Sequence, residues 1–129
     1  MIPFGRVYKF TIKITNSKNN KIHIGIVNKE RIRKRSSFSS GEAFTYYGYN
    51  GWVCDKKTTV FETYDKKGNG FRTSDDVIVT VDLSKGMVEW AVGERLMASQ
   101  YRDLLRKQKH TFVPDIAMCD RGDSVRWVS

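Results

Sequence analysis

Two histidines, His23 and His110, and two cysteines, Cys54 and Cys119, are the only soft metal ligands in this 129-residue chain. No Cys-x-x-Cys or His-x-x-x-His pair groups them, so the spacing does not indicate a zinc site. The carboxylates that could work in pairs are Glu62 with Asp65, three apart, and Glu89 with Glu94, five apart. A retaining glycosidase needs its two carboxyls about 5–5.5 Å apart on one face. An odd separation along a strand sends the side chains to opposite faces. No nucleophile elbow and no glycine-rich phosphate loop occurs. The expectation is therefore a protein without catalysis, metal or cofactor.

Contact chemistry is better represented. Tyr46, Tyr47, Tyr49 and Trp52 crowd the run AFTYYGYNGWVCD, residues 43–55. Tyrosine and tryptophan offer a large contact area with few rotatable bonds and so serve as interface anchors. They fill cores equally well, which is the competing reading for Tyr46 and Trp52. The run KERIRKRSS places Lys29, Arg31, Arg33, Lys34 and Arg35 within seven residues. It reads either as a solvated loop or as a contact for an acidic partner. The whole chain agrees in sign, with 23 basic and 14 acidic residues and a net charge of +9. That balance favours an acidic protein segment, a nucleic acid or anionic lipid as partner. The tripeptide Arg121-Gly122-Asp123 reads as a hairpin turn, with the glycine supplying the bend.

These residues need a scaffold, and the hydropathy pattern predicts one made of strands. Tyr8, Phe10, Ile12 and Ile14 alternate with polar residues, as do Ile22, Ile24 and Ile26. With the Asn16–Asn20 turn between them, these two runs are expected to pair as a hairpin. Ala43–Asp55 reads as strand, bend and strand, and Thr58–Tyr64 as another strand. Val77–Asp82 and Met87–Val92 form a second predicted hairpin around Ser84-Lys85-Gly86, with Trp90 on the core side. Ala98–Gln108 has Tyr101, Leu104, Leu105 and Gln108 at helical spacing and is the one predicted short helix. Phe112–Ala117 and Ser124–Val128 close the chain as strands. Many short strands at this spacing indicate an all-β, antiparallel sandwich or barrel. A chain this long forms one domain, expected over residues 1–129, and buries roughly two thirds of its unfolded surface. It carries no apolar run near twenty residues and no secretory core, so no membrane insertion is expected. The expected compartment is intracellular, cytoplasmic or nuclear, with both thiols reduced and buried.

The ordered runs resemble a known family. DDVIVTVDLSKGMVEWAVGERL (75–96) is similar to the core of the SPRY domain. There an acidic residue, a Val-Ile pair, a strand ending in Asp-Leu and a glycine turn precede an aromatic-bearing strand. RVYKFTIKI and KIHIGIV resemble the entry strand and its partner, EAFTYYGYNGWVCDKK the aromatic segment, and HTFVPDIAMCDRGDSVRWV the closing strands. Together they span most of the chain, in the family's order and without the PRY segment that often precedes it. Where family members usually carry Gly-Asp and Asn-Gly, this chain has Ser74-Asp75-Asp76 and Val92-Gly93. The resemblance implies a concanavalin-like β-sandwich that acts as a protein-interaction module, an adaptor or scaffold part of a larger protein or complex, rather than as an enzyme. It places the ligand surface on loops at one end. Carried over by position, that surface comprises Tyr47 or Tyr49 with Met118, Asp120 and Arg121. Trp52, Arg31, Arg33 and Arg35 complete the expected partner-binding set, and the basic residues make the expected protein or peptide partner acidic. A nucleic acid stacked on the aromatics is the second reading. A lectin is the third, because Trp90-Ala91-Val92-Gly93-Glu94-Arg95 holds the letters of a galectin sugar site at a different spacing.

Ser36 and Ser37 follow the basic run in a way basophilic kinases accept. Phosphorylation would place about −1.5 to −2 charges among the arginines. Phosphopeptide mapping of the native protein should find one of the two modified; neither modified would reject the site.

Overall fold

Alternation decides which side of each strand is buried. In β1 (Tyr8–Asn16), Phe10, Ile12 and Ile14 are fully enclosed while Lys9 is exposed and Thr11 and Lys13 are partly so. In β6 (Asp76–Asp82), Val77, Val79 and Val81 are enclosed and Ile78 and Thr80 face outward. The structure is a computed structural model and describes residues 2–29, 43–49, 51, 53–55, 58–60, 70–101, 103–106, 112–118 and 120–129. The other strands are β2 (Ile22–Asn28), β3 (Ala43–Tyr47), β4 (Val53–Asp55), β5 (Thr58–Val60), β7 (Met87–Val92), β8 (Arg95–Tyr101), β9 (Phe112–Met118) and β10 (Ser124–Trp127). They form two five-stranded sheets, one ordered β10-β1-β6-β7-β8 and the other β5-β4-β3-β2-β9. Every pairing is antiparallel. This is the expected β-sandwich.

Two predicted hairpins are corrected. β1 and β2 lie in different sheets, as do β9 and β10. The segments 17–21 and 120–123 therefore lie on crossings from one sheet to the other. The apolar stripe Phe10-Ile12-Ile14 meets Ile22-Ile24-Ile26 across the sandwich, not beside it. Period-two patterning names the buried face of a strand and is silent on its neighbour. The β6–β7 hairpin stands as predicted, from Val77 opposite Val92 to Asp82 opposite Met87. In its turn Asp82 Oδ1 accepts the Ser84 hydroxyl at 2.6 Å and the Lys85 N–H at 3.3 Å.

The predicted helix over residues 98–108 is also corrected. Ala98 to Tyr101 belong to β8, and only a 3-10 turn, Asp103–Arg106, is helical among the described residues of that stretch. Ala98 pairs with Trp90 and Leu96 with Ala91, so Met97 is an extra residue on β8. Such a bulge breaks the two-residue period. Met97 and Ala98 are consequently both buried, and Ser99 and Gln100 after them. A strand enclosed on both faces shows no alternation to read.

Among the described residues Trp90 is the largest wholly enclosed side chain. Its indole N–H donates to the Ile24 carbonyl at 2.7 Å, which joins β7 of one sheet to β2 of the other. The Tyr46 ring stacks against it at 6.0 Å and 25°, and Phe71 packs on the far side of Tyr46 at 6.2 Å. Burying an aromatic of this size contributes about 4–6 kcal/mol in gross transfer free energy. Trp90→Phe keeps a ring but loses the N–H bond and some volume. It should lower unfolding stability by about 1–3 kcal/mol, and Trp90→Ala by about 3–5 kcal/mol, read as shifts of the urea midpoint at constant slope. An unchanged midpoint for Trp90→Phe would show that the inter-sheet bond does not stabilise the fold.

Candidate functional site

One end of the sandwich gathers the segments 17–21, 47–49, 70–75, 93–94 and 120–123, as the strand registers require. They are bonded to each other as well as to their strands. The Gly48 N–H donates to Ile22 O at 2.9 Å. Asn19 Nδ2 donates to Asp120 Oδ2 at 3.1 Å, and the Lys18 N–H to Asp123 Oδ1 at 3.0 Å. The Ser17 N–H donates to Thr73 Oγ1 at 2.9 Å, and that hydroxyl donates back to Ser17 O at 3.2 Å. Gly70 sits so tightly on Gly48 that a Cβ there would fall 1.5 Å from the Gly48 carbonyl oxygen. No side chain other than hydrogen fits this crossing.

Local sequence sets each loop. Asp120 to Asp123 close a turn with an N–H bond of 3.3 Å, and Gly122 at φ 88° supplies the left-handed residue it requires. The Arg121-Gly122-Asp123 run is thus a turn between the sheets, with Asp123 held by the Lys18 N–H and the Ser17 hydroxyl. Gly93 and Glu94 make a two-residue connection between Val92 and Arg95, with Gly93 at φ 61°. Positive φ at the first central residue alone is the II′ pattern, which needs glycine there and no asparagine before it. This is why Val92 can replace the family's asparagine. Ser74 takes a left-handed φ of 77°, held by its N–H to Ile14 O at 2.7 Å.

Of the residues expected to contact a partner, five are described and all lie at this end. Tyr49 is 60% exposed and its ring lies 6.0 Å from that of half-buried Tyr47. Met118, 47% exposed, pairs with Ile22, so it and Gly48 flank the first residue of β2 from opposite sides. Asp120 is partly buried and accepts from Asn19, while Arg121 is exposed at the turn. Trp52, Arg31, Arg33 and Arg35 lie outside the described residues, as do Ser36 and Ser37. Tyr46 is core, fully enclosed. So is Trp90, which leaves no face for a sugar ring to stack on.

The sequence reading missed three features here. Arg72 and Arg95 border an open groove of about 250 Å³ lined also by Gly70, Asp75, Val92 and Met97. Only spatial proximity joins them, and no spacing in the chain signals it. The Gly48–Gly70 crossing is likewise visible only in three dimensions. His23 is the third. Its ring stacks on Tyr47 at 4.3 Å and 11°, and its Nδ1 lies 3.2 Å from Thr45 Oγ1. His23, Tyr47 and Tyr49 thus form a row of rings running from the interior to solvent.

Charge at this end is sorted by depth. Asp75 accepts the Arg72 N–H at 2.7 Å, and Asp120 and Asp123 hold the neighbouring loop. Lys18, Arg72, Arg95 and Arg121 are exposed. Carboxylates hold the loops in place and cations face outward. Among the described residues no three His, Cys, Asp or Glu side chains cluster within reach of one metal ion, and no helix is long and apolar enough to cross a membrane.

The same arrangement of sheets is found in solved structures. The SPRY domain of human HERC1 superposes with a TM-score of 0.68 at 11% identity, over 94% of this chain and 73% of that one. A second human SPRY domain gives a TM-score of 0.69 at 11% identity, over 92% and 74%. This chain has the SPRY-domain fold. The stonustoxin structure also contains it, with a TM-score of 0.62 at 15% identity, over 95% of this chain and 20% of that much longer one. No protein-family model and no curated protein matches the sequence. At 11–15% identity the SPRY likeness is one of backbone.

His23 provides a test of the row of rings. It is 5% exposed, and burial lowers its pKa from 6.5 to about 4. Between these values the unfolded chain binds a proton that the folded chain does not. Stability is therefore fully present above pH 6.5 and falls as the pH drops towards 4. The loss due to this residue should be about 3 kcal/mol. His23→Gln should remove that part of the acid sensitivity in urea titrations at pH 7, 5.5 and 4. Parallel pH profiles for the two proteins would place the imidazole in solvent.

Proposed function

We propose that the chain is a non-catalytic protein-interaction domain, one part of a larger protein or complex, whose end loops bind an acidic peptide segment. The observation that carries this reading is the graded row His23–Tyr47–Tyr49. A buried ring fixes a half-buried one, and that ring holds a largely exposed one at the rim. An aromatic held in place this way loses little entropy on binding. Exposed Met118 lies across β2 from it, and Lys18, Arg72 and Arg121 give the rim its positive charge. The SPRY fold supports the reading, since the resemblance associates it with interaction modules. Lysine and arginine at the rim would speed encounter with an acidic partner and make its rate salt-dependent.

The test is affinity capture from native lysate with the full chain as bait, at 50 and 200 mM salt, beside Tyr49→Ala. The expected result is a protein retained at the higher salt and weakened at least about tenfold by Tyr49→Ala. Capture that is unaffected by Tyr49→Ala would move the contact elsewhere. Capture of nucleic acid that vanishes at 200 mM salt would replace this reading with a polyanion-binding one.

A further inference from the structure

We infer that the outer edge of β10 is a docking edge that takes one more antiparallel strand, a partner protein segment with the pattern apolar-acidic-apolar. This edge runs along the side of the sandwich, away from the tyrosine loops, and does not rest on the end-loop reading. β10 ends its sheet, and β1 is its one neighbour there. Ile14 of β1 bonds towards β6, with its N–H on Asp75 O at 2.9 Å and its carbonyl accepting the Ser74 N–H at 2.7 Å. Bonding sides alternate along a strand. Lys13 therefore bonds to β10 through its pair partner Arg126, as Thr11 does through the Val128 N–H at 2.9 Å. By the same alternation Val125 and Trp127 turn their N–H and C=O groups outward. Such an edge is a template for another chain.

The same two residues carry side chains that the sandwich leaves uncovered. Val125 stands opposite Ile14 and Trp127 opposite Ile12, so both face the core. Ile12 and Ile14 are wholly enclosed, whereas Val125 is partly exposed and Trp127 is 50% exposed. The Trp127 ring stacks on buried Phe10 at 5.4 Å and 6°, which fixes it while half of it meets solvent. β9 ends the facing sheet on this side, since β1 is joined to β2, and β9 to β10, by crossings at one end. Its core-facing Ile116, opposite enclosed Ile24, is likewise only partly buried. The sandwich is thus open along β9 and β10. A strand added beside β10 would cover that opening with its alternate, apolar side chains.

Charge on the other face selects the acidic position. Arg126 stands opposite Lys13, and Lys9 lies further along the same outer face of β1. Lys13 is balanced by Asp76 at 3.7 Å. Arg126 and Lys9 are exposed, with no carboxylate in ion-pair reach among the described residues. On an added strand the residue opposite Arg126 falls in a non-hydrogen-bonded pair, where Cα atoms approach to about 4.5 Å and side chains meet. Opposite charges stabilise such a pair and like charges destabilise it. The register is thereby specified, with apolar residues opposite Val125 and Trp127 and an aspartate or glutamate between them. The same rule disfavours a second copy of this chain, because setting Val125 against Trp127 of the copy sets Arg126 against Arg126.

The probes are fluorescein-labelled peptides Ser-Val-Xaa-Val-Xaa-Val-Ser with glutamate, glutamine or lysine at Xaa, beside a scrambled glutamate peptide without alternation. Binding to the full chain is read by fluorescence polarisation at low salt and by amide hydrogen exchange in NMR spectra. Exchange at Val125 and Trp127 should slow at least about tenfold with the glutamate peptide, while Arg126 and Val128, already bonded to β1, change little. The glutamate peptide should bind about threefold tighter than the glutamine one, with lysine weakest. Arg126→Glu, at an exposed position, should reverse that order. Val125→Pro removes an outward N–H and no bond to β1, so it should weaken binding about fivefold with the melting temperature retained.

Slowed exchange at Val125 and Trp127 that persists in Tyr49→Ala supports the docking edge. Peptide binding that leaves both amides exchanging as before, or no binding by any alternating peptide, overturns it and leaves the end-loop reading intact. Equal affinity for glutamate and lysine peptides, unchanged in Arg126→Glu, overturns the acidic pattern. Both amides protected without peptide, together with a dimer mass in sedimentation, would give the edge to a second copy and overturn the inference.

Discussion

The hydrogen bond from the Trp90 indole to the Ile24 carbonyl holds the two sheets in one register, and the loop end that carries Tyr49 is built outward from it. A sandwich is otherwise joined by non-directional apolar contact, which tolerates sliding. A buried polar donor does not, because a shift that strands the N–H costs roughly 1–3 kcal/mol. From Trp90 the contacts run through Tyr46 to Phe71. Phe71 in turn lies directly under Gly48, where an added Cβ would fall 2.4 Å from its ring. Gly48 carries Tyr49 and receives Gly70, the start of the Arg72 groove. Tyr49 and Gly70 are thus only a few packed residues from the bond that joins the sheets.

At this end carboxylates serve as acceptors that hold the loops. Asp75 satisfies an N–H of its own loop, and Asp120 and Asp123 an amide and an N–H of the neighbouring 17–21 loop. Bonds from backbone N–H groups to carboxylates are among the stronger ones available to a loop with no ladder of its own. Exposed ion pairs contribute only about 0–1 kcal/mol, so these carboxylate bonds do more than surface ion pairs to fix the loops.

Much of this architecture was legible in the sequence, and what was not has physical causes. The β6–β7 hairpin could be read because the apolar alternation and the Ser84-Lys85-Gly86 turn agree in register. β1 and β2 misled because a stripe such as Phe10-Ile12-Ile14 looks the same whether its partner lies beside it or across the core. β8 misled because the bulge at Met97 turns two successive residues inward, and its burial on both faces leaves no period to detect. The tyrosines of the site were visible as residue types at a glycine bend. The burial of Tyr46 and the exposure of Tyr49 were set by which sheet face and loop received them. Arg72 and Arg95 are 23 positions apart in the chain and meet only because β7 returns to the N-terminal end of β6.

The position of Trp90 also decides which chemistry this scaffold can carry on its sheets. A sugar-binding face needs an aromatic ring open to solvent, and the tryptophan of the galectin-like run is fully enclosed with its N–H committed to Ile24. On the outer face of its sheet the strands present Lys9, Thr11, Ile78, Thr80 and Glu89, and one exposed ring, Tyr101, opposite Met87. Exposed rings lie against fixed neighbours at two places, Tyr49 on Tyr47 at the loops and Trp127 on buried Phe10 at the sheet edge. Enclosing Trp90 locks the sandwich from within, and at the end where the strands turn over backbone geometry is fixed instead by the Gly48–Gly70 crossing and by carboxylate bonds.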